Sequence, residues 1–174
     1  QSFGVSVAGP MDRLSHRLAN LLVGNSSSAA GLEITLLGPD IEFQDDVRCA
    51  VTGAEFEIFV DDNRMPLNAG WIVPKGAHLR FGDRRRGARA YLAIAGGLDV
   101  PQQLGSRATH LATGMGGYRG RQLQVGDRLR IGQASSTKLS SMHQVQSVMS
   151  LPSENIRVRV ILGPQDQMFS KEAF

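Results

Sequence analysis

Residues 47–60, Val47-Arg48-Cys49-Ala50-Val51-Thr52-Gly53-Ala54-Glu55-Phe56-Glu57-Ile58-Phe59-Val60, contain two short β-type runs, Val47–Val51 and Glu55–Val60. Both are rich in the β-branched and aromatic residues that suit a pleated surface. Outward from this stretch the same pattern recurs at Leu32–Leu37, Trp71–Val73, His78–Phe81, Ala90–Ala95 and Arg128–Ile131. Turn signals separate the runs: Gly38-Pro39-Asp40, Asp61-Asp62-Asn63, Lys75-Gly76 and Gly82-Asp83. A single early helix is expected over Asp12–Val23, with Asp12 as its cap and Gly24-Asn25 as its stop. Met11, Leu14, Leu18, Leu21 and Leu22 recur at helical spacing and predict its buried face. Seven short strands and one helix predict a mainly β fold, a barrel or a sandwich. Strands and helices do not alternate, which argues against a doubly wound nucleotide fold.

Composition narrows the function classes. The 174 residues suffice for one domain and the start of another, and the hydrophobic fraction of 41% is ordinary for a globular chain. The net charge of +3, with one Trp and two Tyr, offers little for base stacking, so nucleic acid is not an expected partner. No apolar run reaches the roughly 18 residues that span a bilayer. Neither a signal peptide nor membrane association is expected. The single cysteine, Cys49, excludes an internal disulfide and fits a reducing cytoplasm. It lies in an apolar run and reads as a buried small residue rather than a nucleophile.

The segment Gly96–Gly126 stands apart. It carries eight of the 20 glycines, and between Val100 and Gly126 it has no Asp or Glu. Arg107, His110, Arg119 and Arg121 fall in this acid-free run, with Ser106, Thr109 and Tyr118 nearby. Glycines allow close backbone approach, and guanidinium forks suit carboxylate, carbonate or phosphate. An anion-handling site is therefore favoured over a mobile surface loop solubilised by arginine.

Several site types are absent from the sequence. There is no Gly-x-x-x-x-Gly-Lys-Ser/Thr loop, and the dinucleotide fingerprint fails because Arg119 stands where a third glycine would be. Gly4-Val5-Ser6-Val7-Ala8 lacks the last glycine of a nucleophile elbow. His16, His78, His110 and His143 are far apart in sequence, so no metal is expected. No Met-Lys-Met-like segment exists to carry biotin.

Gly4-Val5-Ser6-Val7-Ala8-Gly9-Pro10-Met11-Asp12, Ala19–Asn25, Leu32–Thr35, Thr52-Gly53-Ala54, Gly87–Gly97 and Gly116–Arg121 together resemble one family. It is the biotin-dependent carboxyltransferase type, also called allophanate hydrolase subunit 2, which includes the C-type subunit of 5-oxoprolinase and the regulator KipA. The resemblance runs from about Gly4 to Ile131. It implies cyclophilin-like β-barrel units, two per full protein. On that reading residues 1–132 form the first barrel, 133–155 a polar linker and 156–174 the start of a similar unit, in a chain cut at both ends. The strand Ile156–Leu162 would open the second unit, and Leu37-Gly38-Pro39 would find its echo in Leu162-Gly163-Pro164. A partner is implied, the homologue of allophanate hydrolase subunit 1, which is the B-type subunit of 5-oxoprolinase. So is an activity in complex: ATP-dependent opening of 5-oxoproline to glutamate. The alternatives are biotin-dependent carboxylation of urea or an amide, with biotin on a separate carrier, and non-catalytic regulation of a kinase inhibitor.

Two departures from the family pattern matter. An upstream Thr-x-Gln-Asp-x-Gly-Arg-x-Gly segment is missing, and in the Gly-Ser-x-Ser-Thr-Asp stretch Ala108 and His110 replace the second serine and the acid.

The candidate catalytic residues are Asp12, Ser106 and Thr109, and the candidate substrate-binding residues are Arg89, Tyr118, Arg119 and Arg121. Asp12 reads first as a helix cap. Ser106 and Thr109 are donors to an oxyanion or caps of turns. Arg89, in a strand, either takes a substrate carboxylate or forms an ion pair, because an unpaired buried charge costs several kcal/mol. Arg119 and Arg121 flank Gly120 as an anion clamp, and Tyr118 either stacks on a flat ligand or packs against the loop. Glu33 and Asn20 are expected to hold the helix against the barrel.

Overall fold

The computed structural model describes residues 8–134, 159, 161 and 163–170. Helix α1 (Arg13–Leu22) is followed by β1 (Leu32–Thr35), β2 (Asp40–Glu42), β3 (Val47–Val60), β4 (Asn63–Met65), β5 (Gly70–Val73) and β6 (His78–Ile94). A short 3-10 turn spans Asp166–Met168.

The fold is mainly β, as the sequence predicts, but its strands are fewer and longer. The two runs of 47–60 are one strand, and His78–Phe81 and Ala90–Ala95 belong to one strand of 17 residues. β3 and β6 pair antiparallel over almost their whole lengths and form a spine. One half of the spine carries β1 on β6 and β5 on β3, and the other half carries β2 on β6 and β4 on β3. Register shifts between Gly53 and Ile58 mark the join. Val47, Cys49 and Val51 face the core before the join, whereas Ala54, Phe56, Ile58 and Val60 face it afterwards. The bulge therefore reverses the phase of the alternation, as an inserted residue must. Both halves then contribute to one core that includes Trp71, Val73, Leu79 and Leu92. Among the described residues no pairing returns β4 to β1, so the sheet is six-stranded and antiparallel rather than a closed ring. Arg128–Ile131, expected as a strand, makes only a bridge from Ile131 to Leu98 and one bond from the Asp99 amide to the Arg130 carbonyl.

Helix α1 lies on the outer face of the spine, packed on Ala50, Tyr91 and Ala93. Its buried residues are Ser15, Ala19, Asn20 and Leu22, while Met11, Leu14 and Leu21 are exposed. Of the predicted apolar face, Leu22 is buried and Leu18 packs against the same cluster, whereas Met11, Leu14 and Leu21 are turned away from the sheet. The physical reason is close approach: small residues let the helix backbone meet the sheet, and Thr52 Oγ1 donates to the Ser15 carbonyl at 2.7 Å. Asn20 donates to the Ala29 carbonyl at 3.0 Å and accepts from Asn25 at 2.9 Å, tying the helix to the following loop. The first Leu-Gly-Pro leads into β2, whereas Gly163-Pro164 leads into the 3-10 turn. Most of the strand expected at 156–162 and most of the linker expected at 133–155 lie outside the described residues.

Candidate functional site

An open groove of about 420 Å³ sits at the N-terminal end of α1, where the bulged middle of the spine passes beneath it. Met11 and Asp12 form one wall, Gly53 and Ala54 of β3 a second, and Gly87, Ala88 and Arg89 of β6 the third. Gly53 has φ +93°, and a Cβ there would press on the Arg89 carbonyl. The glycine is thus what brings the two long strands together at the groove floor.

Arg89 is the cation of this groove. Its Nε lies 3.4 Å from Glu33 Oε1, with both side chains about one-third exposed. That Nε is shielded from solvent and makes no directed hydrogen bond, so the ion pair leaves one guanidinium donor unspent. Glu33 is itself held in place: its Oε2 accepts from the Tyr91 hydroxyl at 2.9 Å and from the Met11 amide at 2.9 Å. The Tyr91 hydroxyl in turn accepts from the Asp12 amide at 2.7 Å. Burial and the neighbouring Glu33 carboxylate push the Tyr91 phenol up to about 12, which keeps it a donor at neutral pH. His16 packs edge-on against Tyr91 with ring centroids 6.0 Å apart, and burial holds its imidazole below the usual value.

Asp12 caps α1: Oδ1 accepts from the Leu14 and Ser15 amides at 3.0 Å each, and Oδ2 accepts from the Ser15 hydroxyl. It is a cap and a groove-lining residue at once. The groove is therefore lined by one guanidinium and one carboxylate, Asp12, with Glu33 paired behind the guanidinium. A guanidinium polarises a carbonyl or pairs with a carboxylate, and a carboxylate receives an amide N–H. That donor set matches a compact amide.

The remaining predicted residues lie on the glycine-rich segment. Ser106 donates to the Ala8 carbonyl at 3.0 Å and accepts from the Ala108 amide at 3.1 Å, so it ties the loop to the chain entering α1. Thr109 is packed beside Gly117, where a Cβ would collide with its hydroxyl. Gly116 and Gly120 are likewise buried against the Ala108 and Gly114 carbonyls. The glycines here let the loop fold on itself. Tyr118 lies under the guanidinium groups of Arg119 and Arg121, 5.1 and 5.5 Å from its ring centre. Arg121 makes a two-pronged pair with Asp127, both bonds 2.7 Å, and Arg119 is exposed. Neither arginine lines the groove at Arg89.

Gly53, Ala54, Gly87 and Ala88 carry no functional group that would mark them as site residues, and Tyr91 reads as a core aromatic. The signal was nevertheless present, because every residue that lines the groove falls in three of the blocks quoted for the family resemblance: Gly4–Asp12, Thr52–Ala54 and Gly87–Gly97. Among the described residues no cluster of His, Cys, Asp and Glu is placed to hold a metal, and no helix is long and apolar enough to cross a membrane. Cys49 is fully buried, and burial pushes its thiol up.

Comparisons with known proteins agree with this architecture. Residues 3–174 match the family model of the carboxyltransferase domain, subdomain A and B. The chain belongs to that family. It is 44% identical to the C-type subunit of 5-oxoprolinase from Escherichia coli over 98% of its own length and 54% of that protein's. It thus spans about half the length of that relative. Among solved structures, TTHA0988 superposes with a TM-score of 0.80 at 35% identity, covering 99% of this chain and 61% of that one. The Kluyveromyces lactis urea carboxylase gives a TM-score of 0.71 at 45% identity, covering 72% of this chain and 11% of the other.

Proposed function

We propose that this chain is part of a subunit of an ATP-dependent amide or lactam hydrolase that opens 5-oxoproline to glutamate. It does so together with a subunit 1 homologue, the B-type subunit of 5-oxoprolinase. The observation that carries this reading is the convergence at Arg89 of three sequence-distant blocks into one groove lined by a guanidinium and the Asp12 carboxylate, with Glu33 paired behind the guanidinium. A lactam that also bears a carboxylate supplies an oxygen for the guanidinium and an N–H for Asp12. The near full-chain likeness to a protein named as a 5-oxoprolinase subunit supports the same reading.

In this arrangement Arg89 binds the substrate's carboxylate or lactam oxygen, Glu33 and Tyr91 orient Arg89, and Asp12 faces the lactam N–H. The Leu14 and Ser15 amides at the start of α1 are taken by Asp12 and the Met11 amide by Glu33, which argues against a phosphate at this helix end. Nucleotide chemistry is assigned to the rest of the complex. The second reading, carboxyl transfer from biotin on a separate carrier to urea or an amide, is supported by the likeness to urea carboxylase and uses the same groove. The test is reconstitution of the full-length protein with its partner subunits. Hydrolysis of 5-oxoproline coupled to ATP supports the first reading. Its absence, with transfer of carboxylate to urea, replaces it by the second.

A further inference from the structure

The glycine-rich segment exposes several large apolar side chains within an acid-free run. Leu104 is 76% exposed, Leu111 55%, and Val125 completely so, with Leu123 also exposed. Exposed apolar residues gathered on one element mark interaction surfaces. This element is also ordered: the His110–Met115 bridge, the Gln103–Gly116 bond and the buried Gly116, Gly117 and Gly120 lock it. The Arg121–Asp127 pair closes the following turn, in which Asp127 Oδ2 also accepts from the Gln124 amide at 2.7 Å. That clasp holds Leu123 and Val125 out toward solvent. A preformed surface loses little entropy on binding. Charge completes the picture, because Arg107 and Arg119 are exposed within a run that contains no acid from 101 to 125.

We infer that residues 101–125 form a docking surface for another protein subunit whose facing side presents Asp and Glu around apolar sockets for Leu104, Leu123 and Val125. The inference uses the proposed function only to name the partner to test. The two fail separately, because a complex that forms without turning over any lactam or urea removes the proposed activity and leaves the surface standing.

The experiment measures binding of the full-length protein to the subunit 1 homologue by titration calorimetry at two salt concentrations. Val125→Asp and the pair Leu104→Asp with Leu123→Asp are expected to weaken binding about tenfold or more, without a change in the melting temperature of the protein alone. Arg119→Glu is expected to weaken it and to flatten its salt dependence. Leu37→Asp, an exposed site on another turn, is expected to bind as the parent does. Parent-like binding by all the loop variants overturns the inference. So does a loop variant that lowers the melting temperature of the full-length chain alone, since its own remaining residues would then cover the loop. A loop variant that abolishes self-association but not partner binding makes the occupant a second copy and overturns it equally.

Discussion

Tyr91 and Glu33 stand directly opposite each other on β6 and β1, and the Tyr91 hydroxyl donates to Glu33 Oε2 at 2.9 Å. This bond is the middle of a chain that runs from the Asp12 amide through Tyr91 and Glu33 to Arg89. It couples the start of α1 to the one cation of the groove. The geometry of the site thus depends on a residue that touches no ligand.

Tyr91→Phe keeps the ring and removes the link. The Asp12 amide and one Glu33 oxygen each lose a partner, so a destabilisation of about 1–3 kcal/mol is expected. Ligand binding is expected to fall as well, because Glu33 no longer fixes Arg89. Chemical denaturation with a parallel binding titration checks both. Unchanged affinity alongside reduced stability would reduce Tyr91 to a structural role.

Asp12 separates capping from chemistry. Asp12→Asn retains the cap and is expected to change stability little, whereas Asp12→Ala costs about 1 kcal/mol. If Asp12 faces the lactam N–H as proposed, Asn also lowers turnover in the reconstituted complex. Full activity of a stable Asn variant confines Asp12 to the helix terminus.

Helix α1 shows what was legible in the sequence and what was not. Its limits follow from Asp12 and Gly24, whose cap and positive φ are local properties. Its buried face was read only in part: Leu18 and Leu22 pack on the sheet, but contact also selects Ser15 and Ala19, and no periodicity of large apolar residues reports those. Gly82-Asp83 reads as a turn and residues 52–54 as a gap between two runs, yet both lie inside long strands that pair with each other across the spine. The clasp on Arg121 is hidden from a reading of the loop because Asp127 lies just beyond the acid-free window. The groove draws on residues from 11 to 89, so its blocks could be named singly but their meeting could not be read.

The Asp127 carboxyl is held at about 2, first by its hydrogen bonds from Arg121 and then by the Gln124 amide. An unfolded Asp titrates near 3.9. A depressed carboxyl stabilises the folded state above the unfolded value, and that contribution is lost as pH falls from about 4 toward about 2. Hydrogen-exchange protection factors at residues 121–127, corrected for the intrinsic pH dependence of exchange, are expected to fall across that window in the parent. Asp127→Asn is expected to show low protection factors throughout, independent of this titration. A flat profile in the parent would show that the pair does not hold the turn.

The most direct measurement of the central claim is the affinity of the full-length protein, with its partner subunits, for 5-oxoproline before and after Arg89→Ala. The Arg89–Glu33 pair is one-third exposed, so the substitution is expected to change stability by no more than about 1 kcal/mol. Loss of a charge-assisted bond of about 1.5–3 kcal/mol is expected to weaken binding roughly 10- to 100-fold. Arg64→Ala, outside both the groove and the glycine-rich loop, should leave it unchanged. Binding that survives the loss of Arg89 undiminished would contradict the account.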